Sequence, residues 1–184
     1  MKKIFMSKKL NKELKEKIRI IPNFPKKGIL FQDVTSITDD SKLFKKVIVE
    51  LSNYVKKNKI SKVAGIEARG FIFASAVAIQ CSLPFIPIRK KNKLPGTTYK
   101  QKYKLEYGED EIQVHKNAAN NKDKVLIIDD LIATGGTAIA AAKLINKFNP
   151  KSIEFYFIIN LVNLDGLKKL ERNYKSNFIL QAEG

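Results

Sequence analysis

Val125-Leu-Ile-Ile-Asp-Asp-Leu-Ile-Ala-Thr-Gly-Gly-Thr137 joins an apolar run to two adjacent acids and then to a loop of small residues. Val125 to Ile128 read as a buried strand, and the alanine-rich stretch from Ala138 to Phe148 reads as a helix. A strand that ends in a glycine loop at a helix start is a prepared anion site. The loop amides converge on one spot, and the helix dipole favours negative charge there. Gly135 and Gly136 permit backbone angles and close approach that a β-carbon would forbid. Thr134 and Thr137 add hydroxyl donors.

Asp129 and Asp130 would repel a bare anion. They fit a ligand that presents hydroxyl groups as well as a phosphate, and a ribose 5-phosphate does both. The loop Ala133, Thr134, Gly135, Gly136 and Thr137 takes the phosphate, while the two carboxylates accept hydrogen bonds from the 2′- and 3′-hydroxyls. No Gly-Lys-Ser/Thr follows, so this is not a Walker loop, and the dinucleotide Gly-x-Gly-x-x-Gly spacing is absent.

A chain of 184 residues with 44% apolar content is long enough for a substantial core and reads as one domain over 1–184. The single cysteine, Cys81, excludes an internal disulfide and fits a reducing, cytoplasmic setting. Met1–Leu10 has too short an apolar core for a secretory leader. Gly70–Ile88 carries no charge and approaches spanning length, but Gln80, Ser82, Pro84, Pro87 and several alanines argue for a buried helix and strand instead of a membrane segment. The net charge of +17 points toward polyanions. All but four of the 35 basic residues (Arg19, Arg69, Arg89 and Arg172) are lysine, spread along the chain and not interleaved with stacking aromatics. That distribution suits attraction of anionic substrates better than dedicated nucleic-acid binding.

Along the chain, 11–18 reads as a short amphipathic helix, and the prolines and glycine of 21–28 break helix and strand alike. Residues 29–35 read as extended. Leu43, Phe44, Val47, Ile48, Leu51 and Val55 then recur at helical spacing behind Asp39 and Asp40. Strands are expected at 62–66, 85–88, 111–115, 125–129 and 153–162, with helices over 71–81 and 165–173. Residues 90–108 read as a polar loop long enough to be functional. Strands alternating with helices imply an α/β fold, a doubly wound and mainly parallel sheet flanked by helices, with ligands at the carboxyl ends of the strands. Turns 67–70 and 129–137 both follow strands and therefore share one face. His115 and Cys81 read as structural, and no metal-ligand spacing is present.

The motif at 125–137 resembles the phosphoribosyl-diphosphate signature of the type I phosphoribosyltransferases. Three further segments, in matching order over roughly 18–165, resemble the members of that family that act on adenine. Ile66-Glu-Ala-Arg-Gly-Phe-Ile-Phe73 is similar to their diphosphate loop, implying Glu67, Ala68, Arg69 and Gly70 as diphosphate contacts and Arg69 as a group that also reaches the base. Ile88-Arg-Lys-Lys-Asn-Lys-Leu-Pro-Gly96 followed by Leu105-Glu-Tyr-Gly108 resembles their mobile hood, about 90–110. Arg89, Lys90 and Lys93 are implied as diphosphate cations there. Lys91 stands where the family commonly has arginine, Tyr107 covers the site, and Glu106 is the implied acid/base. Phe24-Pro-Lys-Lys-Gly-Ile-Leu-Phe-Gln-Asp33 resembles the adenine-recognition segment, with Leu30, Phe31 and Gln32 at the base and Leu131 on its other face. Many relatives have arginine where Gln32 stands.

The resemblance implies conversion of adenine and 5-phospho-α-D-ribosyl diphosphate to AMP and diphosphate in purine salvage. Arg69 and Glu106 are the implied catalytic residues, magnesium enters with the substrate diphosphate, and the chain forms a homodimer. Two other readings are a 6-oxopurine phosphoribosyltransferase and a nucleic-acid-binding regulator that senses the sugar diphosphate. The first lacks a second acid-and-lysine arrangement suited to an oxo group, and the second lacks room for an added DNA-binding domain.

Overall fold

In the computed structural model, described for residues 2–104 and 108–184 with side chains over 9–103 and 108–184, a seven-stranded sheet carries helices on both faces. Helix α1 (Lys2–Lys17) leads into a separate two-stranded antiparallel ribbon, β1 (Arg19–Pro22) with β2 (Leu30–Asp33). The short α2 (Thr35–Thr38) and the long α3 (Ser41–Asn58) follow. Asp40 begins α3 as its N-cap, its carboxylate accepting from the backbone amides of Lys42 and Leu43 at 3.0 and 3.1 Å.

The main sheet is built from β3 (Lys62–Ile66), β4 (Phe85–Lys90), β5 (Thr98–Lys104), β6 (Glu109–His115), β7 (Lys124–Ile132), β8 (Ser152–Leu161) and β9 (Lys175–Ala182), in the order β5-β6-β4-β3-β7-β8-β9. Helix α4 (Arg69–Cys81) links β3 to β4, and α5 (Gly136–Asn146) links β7 to β8. These two crossovers run in opposite directions from the neighbouring pair β3 and β7, so the topological switch point lies between those strands. Right-handed crossovers then place α4 on one face and α5 on the other. The core accordingly divides in two. On one face Leu43, Val47, Leu51, Phe73 and Val77 of α3 and α4 pack with Leu126 and Ile128. On the other, Ala138, Ala141, Leu144 and Ile145 of α5 pack with Val125, Ile127 and Phe155. A last short helix, α6 (Gly166–Glu171), precedes β9.

The doubly wound fold is the one expected, with differences at its margins. Residues 90–108 are not all loop. Thr98–Lys104 is strand β5, fully paired with β6 from Thr98↔His115 to Lys104↔Glu109. Its lysine-rich composition masks the period-two pattern in which Tyr99, Gln101 and Tyr103 share a face. The breaker-rich 21–28 overlaps β1, which ends at Pro22 in a two-stranded ribbon where the missing amide is tolerated. Residues 29–35 are extended only to Asp33, since Thr35 already opens α2. The first helix runs over Lys2–Lys17 and not only 11–18. Strand β9 is an addition to the expected set, because its mixed sequence Lys-Ser-Asn-Phe-Ile-Leu-Gln-Ala gives no clear alternation.

Gly65 sets how closely α4 lies on the sheet. A β-carbon there would stand 2.8 Å from the Ala74 β-carbon and 3.1 Å from the Phe85 ring. Gly65→Ala is expected to cost about 2 kcal/mol through this overpacking. Thermal unfolding should then show a Tm lower by roughly 4–8 °C.

Candidate functional site

Pairing between β3 and β7 ends at Gly65↔Ile128, yet β7 continues to Ile132 while remaining paired to β8. The uncovered flank of β7 therefore faces the turn that follows β3. A cavity of about 430 Å³ opens there, walled by Glu67, Ala68 and Arg69 on one side and by 129–138 on the other. It lies at the carboxyl ends of the strands, where open α/β sheets bind ligands.

The sequence pattern predicts a strand ending at 129. Asp129 and Asp130 are instead inside it, which fixes their carboxylates in place. Asp130 is buried, 4% exposed, and its Oδ2 lies 2.5 Å from Nε of Arg69 without accepting a directed hydrogen bond. Asp129 Oδ1 accepts from the backbone amide of Asp130 at 3.0 Å. Burial first, and then the neighbouring charge of Asp130, push the Asp129 carboxyl well above the usual carboxylate range. Asp130 is also raised by burial, against the opposing pull of Arg69. The two acids are poorly satisfied within the protein, which suits them to accept hydrogen bonds from a polyhydroxylated ligand.

Beyond Ile132 the chain turns through Ala133 and Thr134 to Gly135, whose φ of 83° lies in the left-handed region and caps α5. All five residues 133–137 line the cavity. The turn is braced from behind by a residue that sequence reasoning missed. The Gly166 amide donates to the Ala133 carbonyl at 3.1 Å, and a β-carbon on Gly166 would fall 2.1 Å from that same oxygen. A glycine after Asp165 offers only the weak signal of a helix start. Gly70 makes a similar approach from α4, where a β-carbon would meet Asp129 Oδ1 at 2.7 Å. It packs behind the wall and keeps α4 against β7.

The 67–70 turn contains a cis peptide between Glu67 and Ala68. The Glu67 carboxylate accepts from Arg89 Nη2 and Nε at 3.1 and 3.2 Å and from the Lys90 amide at 2.9 Å. These bonds, led by the Arg89 guanidinium, hold its carboxyl below the usual range. Arg89 also donates through Nη1 to the Lys93 carbonyl at 2.8 Å. Of the three expected hood cations, Lys90 lines the cavity, Arg89 clasps Glu67, and Lys93 lends its carbonyl to Arg89. Glu106 and Tyr107 lie outside the described residues.

The expected base segment lies beside this cavity. The Arg69 guanidinium stands 5.4 Å from the centre of the Phe31 ring, and Phe24 meets Phe31 edge-on at 5.0 Å. Leu131 lines the cavity, and Leu30 is exposed. Gln32 is buried, and its Nε2 donates to the Glu183 carbonyl at 2.9 Å. Strand alternation thus sends Phe31 toward Arg69 and Gln32 the other way.

Residues 33–181 match the sequence profile of the phosphoribosyl transferase domain, and the chain belongs to that family. A protein of Pelagibacter ubique named adenine phosphoribosyltransferase is 49% identical over 172 residues, covering 93% of this chain and 98% of its own. The adenine phosphoribosyltransferase of Rhodothermus marinus superposes with a TM-score of 0.88 at 39% identity, covering 95% of this chain and 99% of that one. The Saccharomyces cerevisiae enzyme, solved with an imino-altritol bisphosphate and adenine, gives a TM-score of 0.87 at 37% identity over 92% and 97% of the two chains. Within the family the chain stands with the adenine phosphoribosyltransferases.

The raised carboxyl of Asp129 has a consequence for stability. Below the ordinary carboxylate range the group is protonated whether the chain is folded or not, and no charge has to be buried. As pH rises, only the unfolded chain ionises freely, so folding loses stability. Asp129→Asn keeps an acceptor for the Asp130 amide and removes that penalty. Calorimetric scans should show it melting above the parent at pH 7, with the difference closing below pH 4.

Proposed function

We propose that one phosphoribosyltransferase domain over 1–184 transfers the 5-phosphoribosyl group from its diphosphate to adenine, forming AMP and diphosphate. The observation that carries this reading is the cavity at the switch point. It faces two under-satisfied carboxylates and a helix-capping loop on one wall with Arg69 on the other, and Phe31 lies on the far side of Arg69. Asp129 and Asp130 accept from the ribose hydroxyls, and residues 133–137 hold the 5-phosphate at the start of α5. Glu67, Ala68, Arg69 and Lys90 face the diphosphate, with Gly70 packed behind them. Arg89 and Lys93 act on that side too, Arg89 through its grip on Glu67. Adenine lies against Phe31 and Leu131, read by the backbone of Leu30 to Gln32.

During transfer the bond from C1′ to the diphosphate oxygen breaks and a bond from C1′ to adenine N9 forms. Positive charge gathers on the ribose as the diphosphate leaves with its electron pair, and Glu106 takes the proton from N9. The protein contributes placement and fixed charge, with no covalent nucleophile. Among the described residues no three acidic, histidine or cysteine side chains are grouped to hold a cation. On this reading magnesium would enter with the substrate diphosphate. The reading includes a homodimer working in the cytoplasm, where the one thiol, Cys81, stays reduced.

Purified protein given the sugar diphosphate, magnesium and each common purine should form AMP from adenine far faster than nucleotide from hypoxanthine or guanine. No nucleotide from any purine, together with salt-sensitive retention of RNA, would instead support the regulator. Glu106→Gln is expected to lower kcat about 10²-fold while substrate affinity holds, measured by steady-state kinetics. Gln32→Ala should leave the KM for adenine within about twofold, since its side chain binds the Glu183 carbonyl. Loss of that bond should cost about 1 kcal/mol of stability in a urea titration.

A further inference from the structure

Three adjacent strands bring a tyrosine, a carboxylate and a lysine to one place at the cavity edge. Tyr103 of β5 lies opposite Asp110 of β6, and Lys90 at the end of β4 lies opposite Ile112, two residues further along β6. Residues two apart on a strand share a face, so Tyr103, Asp110 and Lys90 project together. Lys90 Nζ donates to Tyr103 Oη at 2.8 Å and is ion-paired to Asp110 Oδ2. Tyr103 Oη in turn donates to Asp110 Oδ2 at 3.0 Å, closing a three-membered ring of contacts. The ammonium also sits 5.5 Å from the centre of the Tyr103 ring. Asp110 is itself fixed, its Oδ1 accepting from the Glu111 amide at 2.7 Å. The Lys90 amide is held separately by Glu67 at 2.9 Å.

A lysine stem has four rotatable bonds, and holding its head against one anion normally sacrifices that freedom at each binding event. An ammonium has three N–H donors. Among the described residues the hairpin engages two of them, while Lys90 lines the same cavity as Arg69 and the two aspartates. The adenine-transfer reading gives Lys90 a diphosphate to meet, and the role assigned to its two neighbours rests on that reading.

We propose that Asp110 and Tyr103 are positioning residues for diphosphate binding: they hold the Lys90 ammonium at the cavity wall in advance, with its remaining donor available to the diphosphate. Asp110 touches no substrate. It acts through Lys90, and its loss frees the lysine head to wander in solvent. The hood hairpin thereby has a task apart from covering the site, which is to keep one cation in register with the switch-point cavity.

The test is titration calorimetry of magnesium diphosphate into the parent protein, Asp110→Asn, Lys90→Met and the double variant, with thermal melts confirming that each is folded. Asp110→Asn is expected to weaken diphosphate binding about tenfold. Lys90→Met should weaken it at least as much, and the double variant no further than Lys90→Met alone. Tyr103→Phe, which keeps the ring and removes one anchor, should fall between the parent and Asp110→Asn. In turnover, Asp110→Asn should raise the KM for the sugar diphosphate about tenfold while leaving that for adenine unchanged, a split that a general loosening of the hairpin would not produce. Equal affinity in parent and Asp110→Asn overturns the inference. So does an equal loss on adding Asp110→Asn to the Lys90→Met background. If the parent binds no diphosphate and forms no AMP, the functional reading itself fails and takes the inference with it.

Discussion

Two carboxylates on consecutive residues inside a central strand, one buried and the other raised well above its usual range, are an arrangement that folding alone would avoid. Much of the surrounding structure serves to tolerate it. β7 is locked between β3 and β8 up to Ile128 and by β8 beyond that point, so the two acids cannot swing away into water. Gly70 lets α4 approach within contact of Asp129, and Arg69, one residue earlier, supplies a cation close to Asp130. Protein contacts answer only part of the acceptor capacity of the pair. That unmet capacity lies at the cavity wall, so local destabilisation and readiness to accept a ligand's donors are two descriptions of the same geometry.

The opposite wall is held by similar means. Glu67 commits its carboxylate to Arg89 and to the amide of Lys90, so the turn after β3 is tied to the end of β4 across the very strands that pair below it. Behind the 133–137 loop, Gly166 admits α6 so closely that its amide bonds the Ala133 carbonyl. The cavity is thus framed by strand ends and two helix starts.

The parts legible in sequence are those whose physics is local. Val125 to Thr137 shows strand, acids, loop and helix within thirteen letters, and the helical period of Leu43 to Val55 is unambiguous. The expected fold follows from the alternation of such segments. What stays hidden depends on partners far along the chain. β5 looks like a lysine-rich loop until β6 lies beside it, because Tyr99, Gln101 and Tyr103 are mixed with lysines at every second place. β9 has no clear alternation of its own. The ring of Lys90, Tyr103 and Asp110 spans three strands, and no spacing in the sequence announces it. Likewise the motif places Gln32 at the base without saying which way its side chain points, and strand alternation and the Glu183 carbonyl turn that side chain to the other face.

The outermost strands have a bearing on how this chain behaves at high concentration. A sheet with β5 and β9 at its margins offers two rows of unpaired amides and carbonyls, the usual template for strand-by-strand polymerisation. Both margins are obstructed by side chains from elsewhere in the chain. Lys147 Nζ donates to the Lys100 carbonyl of β5 at 2.9 Å, and Asn11 Nδ2 donates to the Ile179 carbonyl of β9 at 2.7 Å. Exposed Lys100 and Lys102 add charge that a second copy of β5 would have to bring into contact with its own. The composition that conceals β5 from a reader of the sequence is also what discourages another chain from extending the sheet there.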